Sequence, residues 1–122
     1  MQHAAQAYKN VARETASARE LEASLLLKSA AQFQAISDSW ERRKVELNDA
    51  LVFNRRLWTF FLASVTREDN PLPFDVRQNV AHLGMFVIRN TIKLTSDPQR
   101  EALGTLININ RRIASGLRSR AA

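Results

Sequence analysis

Apolar residues recur along most of the chain at the three- and four-residue steps of an α-helix, and nowhere do they alternate with period two over a useful length. A short Ala-rich segment, about His3 to Arg13, predicts a weakly amphipathic first helix within residues 1–16. Ser17-Ala18-Arg19-Glu20 then reads as a capping box, in which the serine hydroxyl and the glutamate carboxylate satisfy each other's backbone amides and start a second helix. That helix carries Leu26, Ala30, Phe33 and Trp40 on one face. The third, roughly Glu41 to Val65, presents Leu47, Leu51, Trp58, Phe61, Leu62 and Val65.

The run Thr66-Arg67-Glu68-Asp69-Asn70-Pro71-Leu72-Pro73 breaks the pattern twice. Each proline disfavours αR in its predecessor, so Asn70 and Leu72 are expected to be extended. Pro73 is expected at the first helical position, with Asp75 near the positive end of the helix dipole. The fourth helix, about Phe74 to Leu94, has two stripes. Val76, Val80, Leu83, Val87 and Leu94 form one; Phe74, Ala81, Met85, Ile88 and Ile92 form another, nearly opposite. A helix apolar on nearly all sides is central in a bundle or half-covered by a partner. Asp97-Pro98 reads as an N-cap and N1 proline for a fifth helix, which presents Leu103, Leu106, Ile107, Ile113, Ala114 and Leu117 and fades near Gly116 into a basic tail. The expected fold is all-α, a single compact bundle of four to five helices over residues 1–122. The residues leave open whether the 1–16 segment docks on it or stays mobile.

Composition narrows the chemistry. The 122 residues give one domain with a real core. Without cysteine there is no disulfide framework, thiol nucleophile or Cys-based zinc site. Three glycines and three prolines leave no phosphate-cradling loop. Apolar runs such as Leu25 to Leu27 and Gly84 to Ile88 fall far short of a membrane span, and the opening residues lack the pattern of a secretory signal. A cytoplasmic protein with no membrane contact is the expectation.

Catalysis finds little support. His82 is the only interior histidine, flanked at i±4 by Gln78 and Phe86 and so without a metal-ligating neighbour on its helix. No serine or aspartate is paired with a base. We expect no enzyme, no metal and no cofactor. Nucleic-acid binding has more behind it, because the net charge of +6 is almost all arginine, clustered at Arg42-Arg43-Lys44, Arg55-Arg56, Arg111-Arg112 and Arg118 with Arg120. Adjacent helical residues project about 100° apart, however, so each cluster is split between faces. The aromatic residues also sit on apolar stripes and do not interleave with the arginines. Nucleic acid is therefore the weaker alternative.

The apolar surplus says more. Phe53 and Phe60 flank the main stripe of the third helix, with Trp58 on it, and Met85 and Phe86 extend the apolar surface of the fourth. Together they suggest a groove for an amphipathic helix. The competing reading is that the bundle buries both stripes. Asn54, Asn90 and Asn110 stand within apolar stripes, where a buried amide must be hydrogen-bonded. They either pair with one another and fix helix register or are held ready for a partner's backbone.

Several blocks are specific. Arg19-Glu20-Leu21-Glu22-Ala23, then Asn54-Arg55-Arg56-Leu57-Trp58, then Asp69-Asn70-Pro71-Leu72-Pro73 with Val76-Arg77-Gln78-Asn79, and Leu106-Ile107-Asn108-Ile109-Asn110 with Gly116-Leu117-Arg118, resemble in order the flagellar biosynthesis regulators of the FlaF family. The resemblance spans essentially the whole chain. It implies a cytoplasmic flagellin-binding export chaperone that also favours flagellin synthesis and acts beside the companion regulator FlbT. Flagellin is then the expected partner. The partner-contacting residues expected on this basis are Phe53, Asn54, Arg55, Arg56, Trp58, Phe60, Asn70, Pro71, Leu72, Arg77, Asn79, Met85, Phe86 and Asn110. An RNA-binding regulator of flagellin messenger RNA is the alternative.

Overall fold

The computed structural model describes residues 2–121, apart from the side chains of residues 2, 12, 15, 16, 120 and 121. Among the described residues there is no strand. The helices are α1 (Gln2–Asp38), α2 (Trp40–Arg43), α3 (Leu47–Val65), α4 (Phe74–Ser96) and α5 (Leu103–Ala121). Single 3-10 turns at Lys44–Glu46 and Arg100–Ala102 lead into α3 and α5. The connections are short, so α1, α3, α4 and α5 run up, down, up, down as a four-helix bundle. Helix α1 packs along α5 and against α3, and α4 packs along α3; α4 and α5 make no comparable contact.

Four expectations about helix ends need correction. Ser17 caps nothing: α1 runs through it without a break, and the Ser17 side chain is exposed. With no glycine or proline before residue 70 and an Ala-rich run of high helix propensity, nothing there makes leaving αR favourable. The 1–16 segment is therefore the first part of a 37-residue helix and not a helix of its own. Pro73 is the N-cap of α4, with φ −55° and ψ 148°; its carbonyl accepts from the Arg77 amide at 2.9 Å. Asp97 ends α4, its amide donating to the Lys93 carbonyl, and α5 begins at Leu103, beyond the 3-10 turn. Nor does α5 fade at Gly116; it continues to Ala121.

The core is a contiguous cluster in which Leu26, Phe33 and Ile36 of α1 meet Leu51, Trp58 and Phe61 of α3, Val87 and Leu94 of α4, and Leu103, Leu106 and Ala114 of α5. Through it runs a polar chain. Trp58 Nε1 donates to Asn110 Oδ1 at 2.8 Å, Asn110 Nδ2 donates to Asn54 Oδ1 at 2.8 Å, and the Ser29 hydroxyl donates to the same oxygen at 2.9 Å. The indole offers only a donor, so the Asn110 carbonyl must face it and the Asn110 amide must face Asn54. That fixes Asn54 and leaves its Nδ2 buried without a partner. The chain ties α1, α3 and α5 in one register.

Helix α1, about 55 Å long, is nearly twice the length of α5. The end of α5 is marked by Arg118, whose guanidinium grips Glu20 with Nη2–Oε1 at 2.8 Å and Nε–Oε2 at 3.1 Å. The hydrogen bonds from Arg118 hold the Glu20 carboxyl below the usual carboxylate range. Before that pair, every described side chain from His3 to Ala18 is exposed.

Candidate functional site

Helix α4 decides where the apolar surface lies. Only Gly84, Val87, Thr91 and Leu94 are buried on it, all from its middle onward. Gly84 lies against Trp58 and Leu62 of α3, and a Cβ there would meet both at 3.5 Å. The second stripe is not covered: Phe74 is 67%, Met85 45% and Ile92 54% exposed. Of the two readings of this helix, the one in which the bundle buries both faces is ruled out.

The first stripe is covered only in part. Toward the amino end of α4, Val76 and Val80 are half-buried and face Ile113 and Leu117 of α5 across an apolar cleft of about 100 Å³, closed at one end by Leu72 and bordered by Arg112 and Gly116. Contact between α4 and α5 is sparse here, and Gly116 leaves space unfilled, since a Cβ there would have no atom within 4 Å. Asn70 sets the 66–73 turn: its Oδ1 accepts from the Leu72 amide at 3.0 Å, and its Nδ2 donates to the Ser64 carbonyl at 3.0 Å. This Asx turn carries Leu72 to the cleft. On α4, Asn79 and Phe86 follow Val76 and Leu83 by three residues and form an exposed shoulder beside it.

The expected contact residues therefore divide into separate groups. Leu72 lines the cleft, with Asn70 and exposed Pro71 in the turn that leads to it, while Asn79 and Phe86 are exposed on the adjoining face of α4. Met85 lies on the opposite flank of α4. Phe53 and Phe60 are elsewhere: Phe60 is displaced from Leu62, where α4 packs, by about 160° around α3, and Phe53 lies on the same flank, under the Lys28 ammonium of α1 at 5.5 Å. Phe53 with Phe60, Met85, and Phe86 thus lie on three separate faces, and the single groove expected from the sequence is corrected to that extent.

Asn54, Trp58 and Asn110 are fully buried and bonded to one another, so they fix register and offer nothing to a partner. Asn90 donates to the Phe86 carbonyl of its own helix at 2.8 Å. Arg77 is committed to the turn: its Nη1 donates to the Arg67 carbonyl at 3.0 Å, and the guanidinium lies 5.9 Å from the centre of the Phe74 ring. Arg56 is exposed and Arg55 half-buried.

The remaining hollows are mixed in lining. One of about 390 Å³ lies beside Asp38, Trp40, Arg42 and Arg100, and one of about 280 Å³ is lined by Gln32, Ile36, Arg43, Glu46, Asp49 and Ala50. There the Arg43 guanidinium bonds Glu46 at 2.8 Å and holds its carboxyl below the usual range. Among the described residues no cluster of His, Cys, Asp and Glu could hold a metal ion, and no helix is long and apolar enough to cross a membrane.

The sequence profile described as flagellar protein FlaF matches residues 4–117. The chain belongs to the FlaF family. Its role is accordingly in flagellum biogenesis. No curated protein and no solved structure matches this FlaF chain.

Sequence reasoning missed the cleft residues of this FlaF member as site residues. Val76, Val80, Ile113 and Leu117 read as ordinary stripe positions, and only their half-burial distinguishes them. The signal that was available is Gly116, three residues after Ile113 on the same side of α5: a missing side chain within an apolar face marks a hollow.

Proposed function

We propose that this protein is a non-catalytic, cytoplasmic flagellin-binding export chaperone and a positive regulator of flagellin synthesis, and that it holds an amphipathic flagellin segment in the α4–α5 cleft. The observation that carries this reading is the apolar hollow between Val76 and Val80 of α4 and Ile113 and Leu117 of α5 in a protein of a flagellar family. A guest helix laid there covers its own apolar face and gives α4 and α5 the contact they lack with each other. A segment that is disordered until the filament assembles would become ordered on binding, at an entropic cost that keeps the complex reversible. Arg112 borders the cleft and is available to an acidic residue of the guest, and exposed Phe86 on the adjoining face of α4 offers apolar contact. FlbT is the second partner in this reading.

Co-elution tests it. The chain mixed with flagellin is passed over a sizing column at moderate salt, and a complex is expected that Gly116→Leu abolishes. That variant fills the hollow where a Cβ meets nothing, and it improves helix propensity, so it remains folded. Absence of any complex with the wild-type chain overturns the chaperone reading. An RNA-binding regulator would instead retain flagellin messenger RNA, with an affinity that falls steeply as salt is raised.

A further inference from the structure

The uncovered stripe of α4 has a spacing of its own. Phe74, Gln78, Ala81, Met85, Ile88 and Ile92 follow one another at alternating steps of four and three residues, the 3.5-residue repeat of a two-helix seam. Phe74, Met85 and Ile92 are exposed, and Ala81 and Ile88 are half-buried. On one side of this line lie Gly84 and Thr91, buried toward α3. On the other side lie Asp75, His82 and Arg89, all exposed and seven residues apart. Neither Asp75 nor Arg89 is in an ion pair within the described chain.

We propose that this seam is closed by a second copy of the chain, α4 packing antiparallel on α4 about a two-fold axis close to His82. The charge pattern selects the occupant. Asp75 and Arg89 stand seven residues to either side of His82, so reversing the helix about that point brings each onto its opposite. With the axis one residue further on, level with Leu83, Phe74 faces Ile92 of the second copy, Gln78 faces Ile88, and the small Ala81 faces the larger Met85, an interdigitating fit. The two Asp75–Arg89 pairs then lie along one edge of the seam, each staggered by two residues or about 3 Å, within reach of a guanidinium. A parallel arrangement has no such match, because it would bring the charged line against the line of Gly84 and Thr91, already buried on α3. The apolar line from Phe74 to Ile92 is about 27 Å long, which suits a dimer in exchange with monomer and not a permanent one. The cleft between α4 and α5 is on the other flank of α4 and stays open in such a dimer.

Sedimentation velocity over a concentration series tests the proposal. Association that rises with concentration is expected for the full chain. Asp75→Arg and Arg89→Asp each weaken it roughly tenfold or more, since both symmetric pairs become like-charge contacts. An equimolar mixture of the two variants regains association, as does the double variant, because each chain again meets the opposite charge. A wild-type chain that stays monomeric throughout, or variants that fail to recover on mixing, overturns the proposal. Met85→Glu is expected to give a folded monomer that still co-elutes with flagellin. If it loses flagellin while the wild-type chain is itself monomeric, the seam belongs to the guest, and the dimer is refuted.

Discussion

Replacing Asn110 by leucine removes the central link of the buried polar chain. The Trp58 indole N–H, 2.8 Å from Asn110 Oδ1, would be stranded in the core, and a buried donor without an acceptor costs about 1–3 kcal/mol. The bond from Asn110 Nδ2 to Asn54 Oδ1 is lost as well, a net contribution of about 1 kcal/mol, although Asn54 keeps the Ser29 hydroxyl. The added apolar burial of leucine offsets part of this. The expected net loss is about 2–3 kcal/mol, which in a domain of this size lowers the melting temperature by roughly 10 °C. Urea unfolding followed by circular dichroism would show the midpoint shifted by about 1.5–2 M at unchanged slope. Trp58→Phe on the same background removes the stranded donor, so the double variant should lose less than the sum of the two single losses, by about 1 kcal/mol or more. An Asn110→Leu chain within about 0.5 kcal/mol of wild type, or strict additivity with Trp58→Phe, would refute the claim that this chain of amides holds α3 and α5 in register.

Other expectations follow from the same structure. Gly104→Ala, at a helical position where a Cβ meets no atom within 4 Å, should stabilise by about 0.5–1 kcal/mol in the same unfolding assay. The Glu22 carboxyl is raised because burial disfavours its charged form, so its unfavourable contribution is absent below the unfolded-state pKa and grows as pH rises through the carboxylate range. Glu22→Gln should therefore raise the melting temperature at pH 7 and make no difference near pH 3. Glu20 and Glu46, lowered by Arg118 and Arg43, act in the opposite sense: their stabilisation is present above the unfolded carboxylate pKa and is lost as pH falls through the lowered folded values, which Glu20→Gln should show as a flatter acid limb. Deleting residues 1–16, whose described side chains are all exposed, should leave the unfolding midpoint almost unchanged.

The architecture was legible because it rests on period. The stripes on α3, α4 and α5 place Trp58, Val87 and Leu106 in the core where they are found, and the run from Thr66 to Pro73 separates α3 from α4. Helix ends were less legible, since Ser17 and Asp97 have side chains suited to caps, yet backbone context and packing decide whether a helix stops there. The pairing of Asn54 with Asn110 was open in the sequence, because composition shows an amide on an apolar stripe but not what lies opposite it. The site was least legible of all. Whether Phe60 and Met85 share a groove depends on which side of α3 receives α4, and that is set by Gly84 meeting Trp58 and Leu62, a contact between residues more than twenty positions apart.

The central claim is that the α4–α5 cleft holds a flagellin segment. It is tested most directly by titrating labelled peptides from the two flagellin termini against the wild-type chain and Gly116→Leu by fluorescence anisotropy, at about 0.15 M and 0.5 M salt. The account predicts saturable binding of one terminal peptide by the wild-type chain, little changed at the higher salt and lost in Gly116→Leu. Absence of binding by either peptide, or equal binding by a Gly116→Leu chain that is fully folded, would contradict it.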